Sequence, residues 1–242
     1  PEWLALIKEP PMRISSRVAV GSPAVRLAYL LLLTLLMTLA ATAAVVTGAS
    51  LLPGTTIVVA QDGSGTVTTI TEALAIAQDG DTVLVRSGTY LESIVITGDV
   101  TIRGDGDPGT VVIEFTADGP THPLEGEPFA YGILLDDSDA QVVNITVRGR
   151  QSAAGGEKAI SAVMIAGGGP VIEQLDVILD GDYARRMRRA ISILGGSSVV
   201  VRDSSWDGFT ELVGSANSPR FEGNTVTAQI IRIAGFGQKV TI

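Results

Sequence analysis

Cysteine is absent from the 242 residues, and histidine occurs once, at His122. No disulfide can therefore staple the fold, and thiol catalysis and thiolate metal sites are excluded. Basic residues are also scarce, 17 against 26 acidic, for a net charge of -9. Their distribution is uneven. Through Arg26 four bases meet two acids, a net of +2, whereas the remainder carries 13 bases and 24 acids, a net of -11. An acidic main domain cannot neutralise phosphates, so nucleic acid is excluded as a partner. Anionic lipid would repel it as well, and any tie to a membrane has to be hydrophobic.

A segment suited to that tie is present. Leu27 to Val46 reads LAYLLLLTLLMTLAATAAVV, 20 residues without a charge. As a helix it would extend about 30 Å, the thickness of a hydrocarbon core. Lys8, Arg13, Arg17 and Arg26 precede it and no base follows until Arg86, which puts the N-terminus in the cytoplasm. Ala41-Thr42-Ala43 and Thr47-Gly48-Ala49 resemble signal-peptidase sites. However, 26 residues precede the apolar run, and the run exceeds a usual signal core. The expectation is an uncleaved signal anchor with the lipid bilayer as partner. Residues 1–26 are then cytoplasmic, 27–46 transmembrane, 47–55 a linker and 56–242 an extracytoplasmic domain.

That domain opens with the apolar strand Ile57-Val58-Val59-Ala60 and the turn Asp62-Gly63-Ser64-Gly65. A helix is expected near Thr71 to Gln78, because Thr69 and Glu72 have capping-box spacing and Ala73, Leu74 and Ala77 share one face. One short helix ahead of strands alone predicts a plug over the open end of a stack. Short apolar runs then alternate with Gly, Asp and Ser turns. A small-residue anchor recurs at Ala140, Pro170, Ser198, Pro219 and Gln238, with spacings of 30, 28, 21 and 19. Strand-built repeats near this length point to a solenoid. A β-sandwich would want hairpin turns and cleaner alternation, and Asn-Gly hairpin signals are missing. The expected fold is all-β: a right-handed parallel β-helix with an N-terminal capping helix, preceded by one transmembrane helix. The chain ends at Lys239-Val240-Thr241-Ile242 without a polar cap, which predicts further coils beyond Ile242.

The stretch from Val59 to Gly106 carries Asp62-Gly63-Ser64-Gly65, Gly80-Asp81-Thr82, Gly88-Thr89-Tyr90-Leu91-Glu92 and Gly104-Asp105-Gly106. It resembles the opening of the right-handed parallel β-helix superfamily, which includes pectinesterases, pectate lyases and NosD-like repeat proteins. The resemblance implies the fold, and enzymes and non-enzymes share this opening. The Gly-Asp-Phe-Ile-Phe-Gly segment of pectinesterases does not occur here. Neither does the Asp-Pro-His motif of alginate epimerases, and no pectate-lyase set of calcium-binding aspartates and catalytic arginine is assignable. A non-catalytic or polysaccharide-binding domain is the leading reading. A polysaccharide lyase or esterase with a degenerate site and a structural stalk or adhesin are the alternatives.

Three insertions, Thr116–Ala130, Gly149–Lys158 and Asp180–Arg189, occupy equivalent turns of successive coils and should rise from one edge. Tyr183, Arg185, Arg186, Arg188 and Arg189 of the last would then meet Arg150 and Lys158 of the second. Guanidinium groups clamp carboxylates and a tyrosine ring stacks on a sugar, so these residues are the expected contact with an anionic polysaccharide. Asp136-Asp137-Ser138-Asp139 offers oxygen ligands for Ca²⁺, but an ordinary solvated turn is the better reading, and no cofactor is expected. Asp203 and Asp207 flank Trp206 as a conceivable acid/base pair beside a stacking ring. His122 sits in a Pro-rich loop.

Overall fold

The computed structural model describes residues 54–151, 158–180, 188–214 and 218–227, and the backbone of 231–234. The chain divides into two units, residues 1–52 and 53–242. The expected membrane segment 27–46 lies outside the described residues. Among the described residues no helix is long and apolar enough to cross a membrane.

The second unit coils. Each turn contributes up to three short strands, and each strand pairs in parallel with its counterpart one coil on. The first face stacks β1 (Thr56–Val59), β2 (Thr82–Val85), β5 (Thr101–Gly104), the first half of β9 (Gln141–Arg150), that of β11 (Val171–Leu179), then β13 (Val200–Arg202) and β16 (Arg220–Glu222). The second face holds β3 (Gly88–Leu91), β6 (Val111–Thr116), the later halves of β9 and β11, β14 (Ser205–Trp206) and β17 (Thr225–Val226). The third comprises β4 (Ile94–Ile96), β8 (Glu127–Asp136), β10 (Ile160–Ala166), β12 (Arg188–Ile193), β15 (Phe209–Val213) and β18 (Ile231–Ala234). Three faces make only two hydrogen-bonded sheets, because β9 and β11 run through the first corner unbroken. A single left-handed residue turns that corner in the coils of β9, β11, β13 and β16: Asn144 (φ 56°), Gln174 (φ 52°), Asp203 (φ 50°) and Gly223 (φ 64°).

Alternation along each strand sends one column of side chains inward. Ile57, Val83, Ile102, Val142, Ile172, Val201 and Phe221 are stacked by register inside the first face. Tyr90, Ile113, Val147, Val177 and Trp206 line the second. All are buried, which is the burial an apolar column needs in a two-sided sheet. The anchor column is Ala140, Pro170, Val199 and Pro219, since the carbonyls of Ala140, Pro170 and Val199 accept from Val171, Val200 and Arg220. Val199 thus replaces the expected Ser198.

The third corner is held by carboxylates. Asp79 Oδ1 accepts from Asp99 N at 2.9 Å, Asp99 Oδ1 from Asp139 N at 2.9 Å, and Asp139 Oδ1 from Gly169 N at 2.6 Å. Asp139 of the acidic turn therefore works as a rung between coils. No carboxylate or histidine cluster able to hold a metal occurs among the described residues.

The cap is α1 (Ile70–Ile76), with Thr69 and Glu72 completing the capping box. Ile70 and Ala73 are buried, and Leu74 and Ala77 pack against the core. Glu92, from the Gly-Thr-Tyr-Leu-Glu signature, accepts from Ile70 N and Thr71 N at 2.9 Å each and from Thr71 Oγ1 at 2.6 Å. A carboxylate at a helix N-terminus satisfies donors that the helix cannot. The insertion after β6 is a hairpin, not an open loop: β7 (Thr121–Leu124) pairs antiparallel with β8. Its turn uses Glu125 (φ 52°) and Gly126 (φ 86°), the two positive φ values of a type I′ turn.

Candidate functional site

The roots of all three insertions lie on one edge, between the second and third faces. Ala117 N donates to Arg150 O at 3.0 Å, Asp180 N to Gly149 O at 2.9 Å, and Ala130 N to Ala159 O at 2.9 Å. Ile160 is in register with Arg188. This edge carries a line of ion pairs, each joining one coil to the next. Glu114 pairs with Arg150 at 2.8 Å and Asp118 with Lys158 at 2.6 Å. Arg148 meets Asp180 at 3.7 Å and Arg188 meets Asp207 at 3.5 Å. Arg150 and Lys158 keep side-chain exposures of 52% and 53%, so both remain open to a ligand. The line is mixed in charge, where the sequence pointed to positive. Tyr183, Arg185 and Arg186 lie outside the described residues.

Arg188 and Arg189 belong to β12 rather than to a loop. Arg189 is a correction to the expected surface patch. Its side chain is 6% exposed and meets fully buried Glu211 at 2.5 Å. The guanidinium also lies 5.4 Å from the Phe129 ring and 5.8 Å from that of Phe209. A buried pair packed between rings serves the fold.

Glu211 belongs to a polar group that sequence reasoning missed, on the outward side of the third face. Ser161 Oγ and Ser192 Oγ are 2.9 Å apart, and Ser192 is in register with Glu211. All three are fully buried. The hairpin covers neighbouring positions, where Leu124, Phe129, Tyr131, Leu134, Ala159 and Met164 form a second apolar cluster. Burial there raises the Tyr131 hydroxyl above its ordinary pKa. The available signal was a glutamate inside the apolar run Phe209-Thr210-Glu211-Leu212-Val213.

Trp206 is a second correction. It points into the core at 4% exposure, with Phe221 at 6.1 Å between ring centroids, and cannot stack on a sugar. Asp203 and Asp207 stand at opposite ends of β14, one at each corner of its face. His122 is half-buried in the hairpin, with Nδ1 3.0 Å from Pro123 O.

No protein-family model matches the chain, and no curated relative matches it. Solved structures do. Pectin methylesterase PemA from Erwinia chrysanthemi aligns with a TM-score of 0.47 and 15% identity, over 69% of this chain and 54% of that one. A pectin methylesterase mutant in complex with a hexasaccharide aligns with a TM-score of 0.42 and 16% identity, over 74% and 66%. This chain thus spans between about half and two thirds of the enzymes it matches. The parallel β-helix rests on the stacked parallel registers themselves.

Proposed function

We propose that the chain is a membrane-anchored β-helix that presents a non-catalytic, polysaccharide-binding surface outside the cytoplasm. The observation that carries this reading is the line of four coil-bridging ion pairs along the loop edge. Exposed pairs of this kind contribute only about 0–1 kcal/mol, so a ligand carboxylate can replace a protein carboxylate at small cost. Successive coils repeat at about 4.8 Å, which arrays such contacts along an extended polymer instead of around a small substrate. Arg150, Lys158 and Arg188 supply the described cations, and Tyr183, Arg185 and Arg186 are the further candidates from the sequence. The uncharged run 27–46, with its bases on one side, supports the anchor and its orientation.

Two experiments test it. The purified chain should be retained by immobilised polygalacturonate and pass through neutral dextran. Protease added to intact cells should digest residues 56–242 and spare 1–26. Equal retention on both polymers rejects the binding claim, and protection of the β-helix rejects the orientation.

A further inference from the structure

A groove of about 410 Å³ opens on the outer face of the first sheet, on the other side of the corner from the second face. Its origin lies in one coil. Between β9 and its continuation, and within β11, a single residue turns the corner, whereas β5 and β6 are separated by Asp105 to Thr110. This longer turn stands up as a wall. Arg86 pairs with Asp105, and Thr110 Oγ1 donates to Asp107 O at 2.7 Å, which fixes its shape. Asn144 Nδ2 ties it from below, donating to Gly104 O at 3.2 Å and Gly106 O at 3.0 Å. The outward side chains of Thr56, Thr82, Leu84 and Arg103 form the floor.

Arg103 sets the chemistry. Arg86, Arg148, Arg150, Arg188, Arg189 and Arg202 all have carboxylate partners. Arg103 and Arg220 have none among the described residues. Register explains the difference at Arg103, whose neighbours in the outward column are Leu84 and Val143. Arg202 has Glu173 and Glu222 in the same places. An exposed guanidinium beside apolar neighbours offers its fork of donors to an incoming carboxylate.

The remaining lining groups are neutral and polar. Gln174 holds an exposed amide at the mouth on a positive φ of 52°, a conformation that Asn or Asp adopts more readily than a longer side chain. At the back lies Asn144, nine-tenths buried, whose Oδ1 has no hydrogen-bond partner among the described residues. Asp105 on the wall is compensated by Arg86, which leaves Arg103 as the lining cation for a ligand carboxylate. The volume falls in the range of small-ligand pockets, about 300–1,000 Å³.

We propose that this groove is a second binding site, for one polyhydroxylated unit bearing a single carboxylate, an acidic sugar. It is separate from the loop edge, and either site can stand without the other. Titrations of the full chain in detergent with glucuronate, glucose, acetate and inorganic phosphate test it, followed by calorimetry or NMR. Glucuronate should bind more tightly than the other three. Arg103→Ala should weaken it about tenfold or more, and Gln174→Ala less, with unchanged melting temperature for Arg103→Ala because that side chain has no partner to lose. Arg150→Ala with Lys158→Ala should leave glucuronate binding intact while weakening polygalacturonate. The proposal is overturned if glucuronate gives no signal, if glucose or phosphate matches it, or if Arg103→Ala binds as the wild type does.

Discussion

Replacing Glu211 by Ala removes the carboxylate that the Arg189 guanidinium meets between Phe129 and Phe209. The side chains of the pair are 6% and 0% exposed and meet at 2.5 Å, so solvent cannot take over from the missing carboxylate. Breaking a buried pair by removing one partner costs about 3–5 kcal/mol, a large share of the roughly 5–15 kcal/mol that holds a domain folded. For a domain of this size each kcal/mol moves the melting temperature by about 2–4 °C, so the single variant should melt about 6–20 °C lower. Arg189→Met with Glu211→Leu removes both charges and keeps apolar volume. The double variant should therefore lose less than either Arg189→Met or Glu211→Leu alone, with a coupling energy of about 3 kcal/mol. Thermal and urea unfolding followed by circular dichroism on the four proteins measures this. Additive losses, or a Glu211→Ala cost below about 1 kcal/mol, would refute the view that the pair is closed to water and mutually dependent.

Other outcomes follow from the cap and the corners. Thr69→Ala removes half of the capping box and should cost about 1 kcal/mol, read as a lower urea midpoint. Hydrogen bonds from Gln78 N and from Thr55 hold the Asp81 pKa below its ordinary 3.8, and those from Thr68 N and Thr69 hold Glu72 below 4.5. Both contribute stability that is present above those ordinary values and is lost as pH falls through the lowered native ones. The melting temperature should then hold steady above about pH 5 and fall below about pH 4, with a shallower fall in Asp81→Asn. Gly104→Ala should destabilise severely, because its Cβ would lie 2.1 Å from the Asn144 carbonyl oxygen, a backbone atom that cannot swing aside; soluble yield and melting temperature report it.

Local chemistry was the most readable part of the sequence. Thr69 and Glu72 announce the helix start because a capping box is complete within four residues. The apolar runs announce strands because every coil repeats the same inward alternation. Contacts between coils were harder to read, because their spacing depends on turns of unequal length. Ion-paired partners are 19 to 40 residues apart, as in Arg86 with Asp105 and Lys158 with Asp118. Counting along the chain therefore cannot say that Arg150 faces Glu114. The same uncertainty placed the third anchor on Ser198, one residue before Val199. Trp206 looked available beside two aspartates, yet a two-residue strand turns Ser205 outward and the ring inward. Glu125-Gly126 turns a hairpin without the Asn-Gly pair that usually signals one. Nothing in the sequence singles out Arg103, since only register reveals that Leu84 and Val143 are its neighbours in the outward column.

The affinity of the chain for polygalacturonate, measured across a salt series for the wild type and for Arg150→Ala with Lys158→Ala, tests the binding surface most directly. Each exposed contact contributes about 0.5–1 kcal/mol, so the double variant should bind about five- to thirtyfold more weakly. Its salt dependence should be shallower too, because fewer screened charges take part. Unchanged affinity and an unchanged salt slope in the double variant would contradict the assignment of polysaccharide binding to the loop edge.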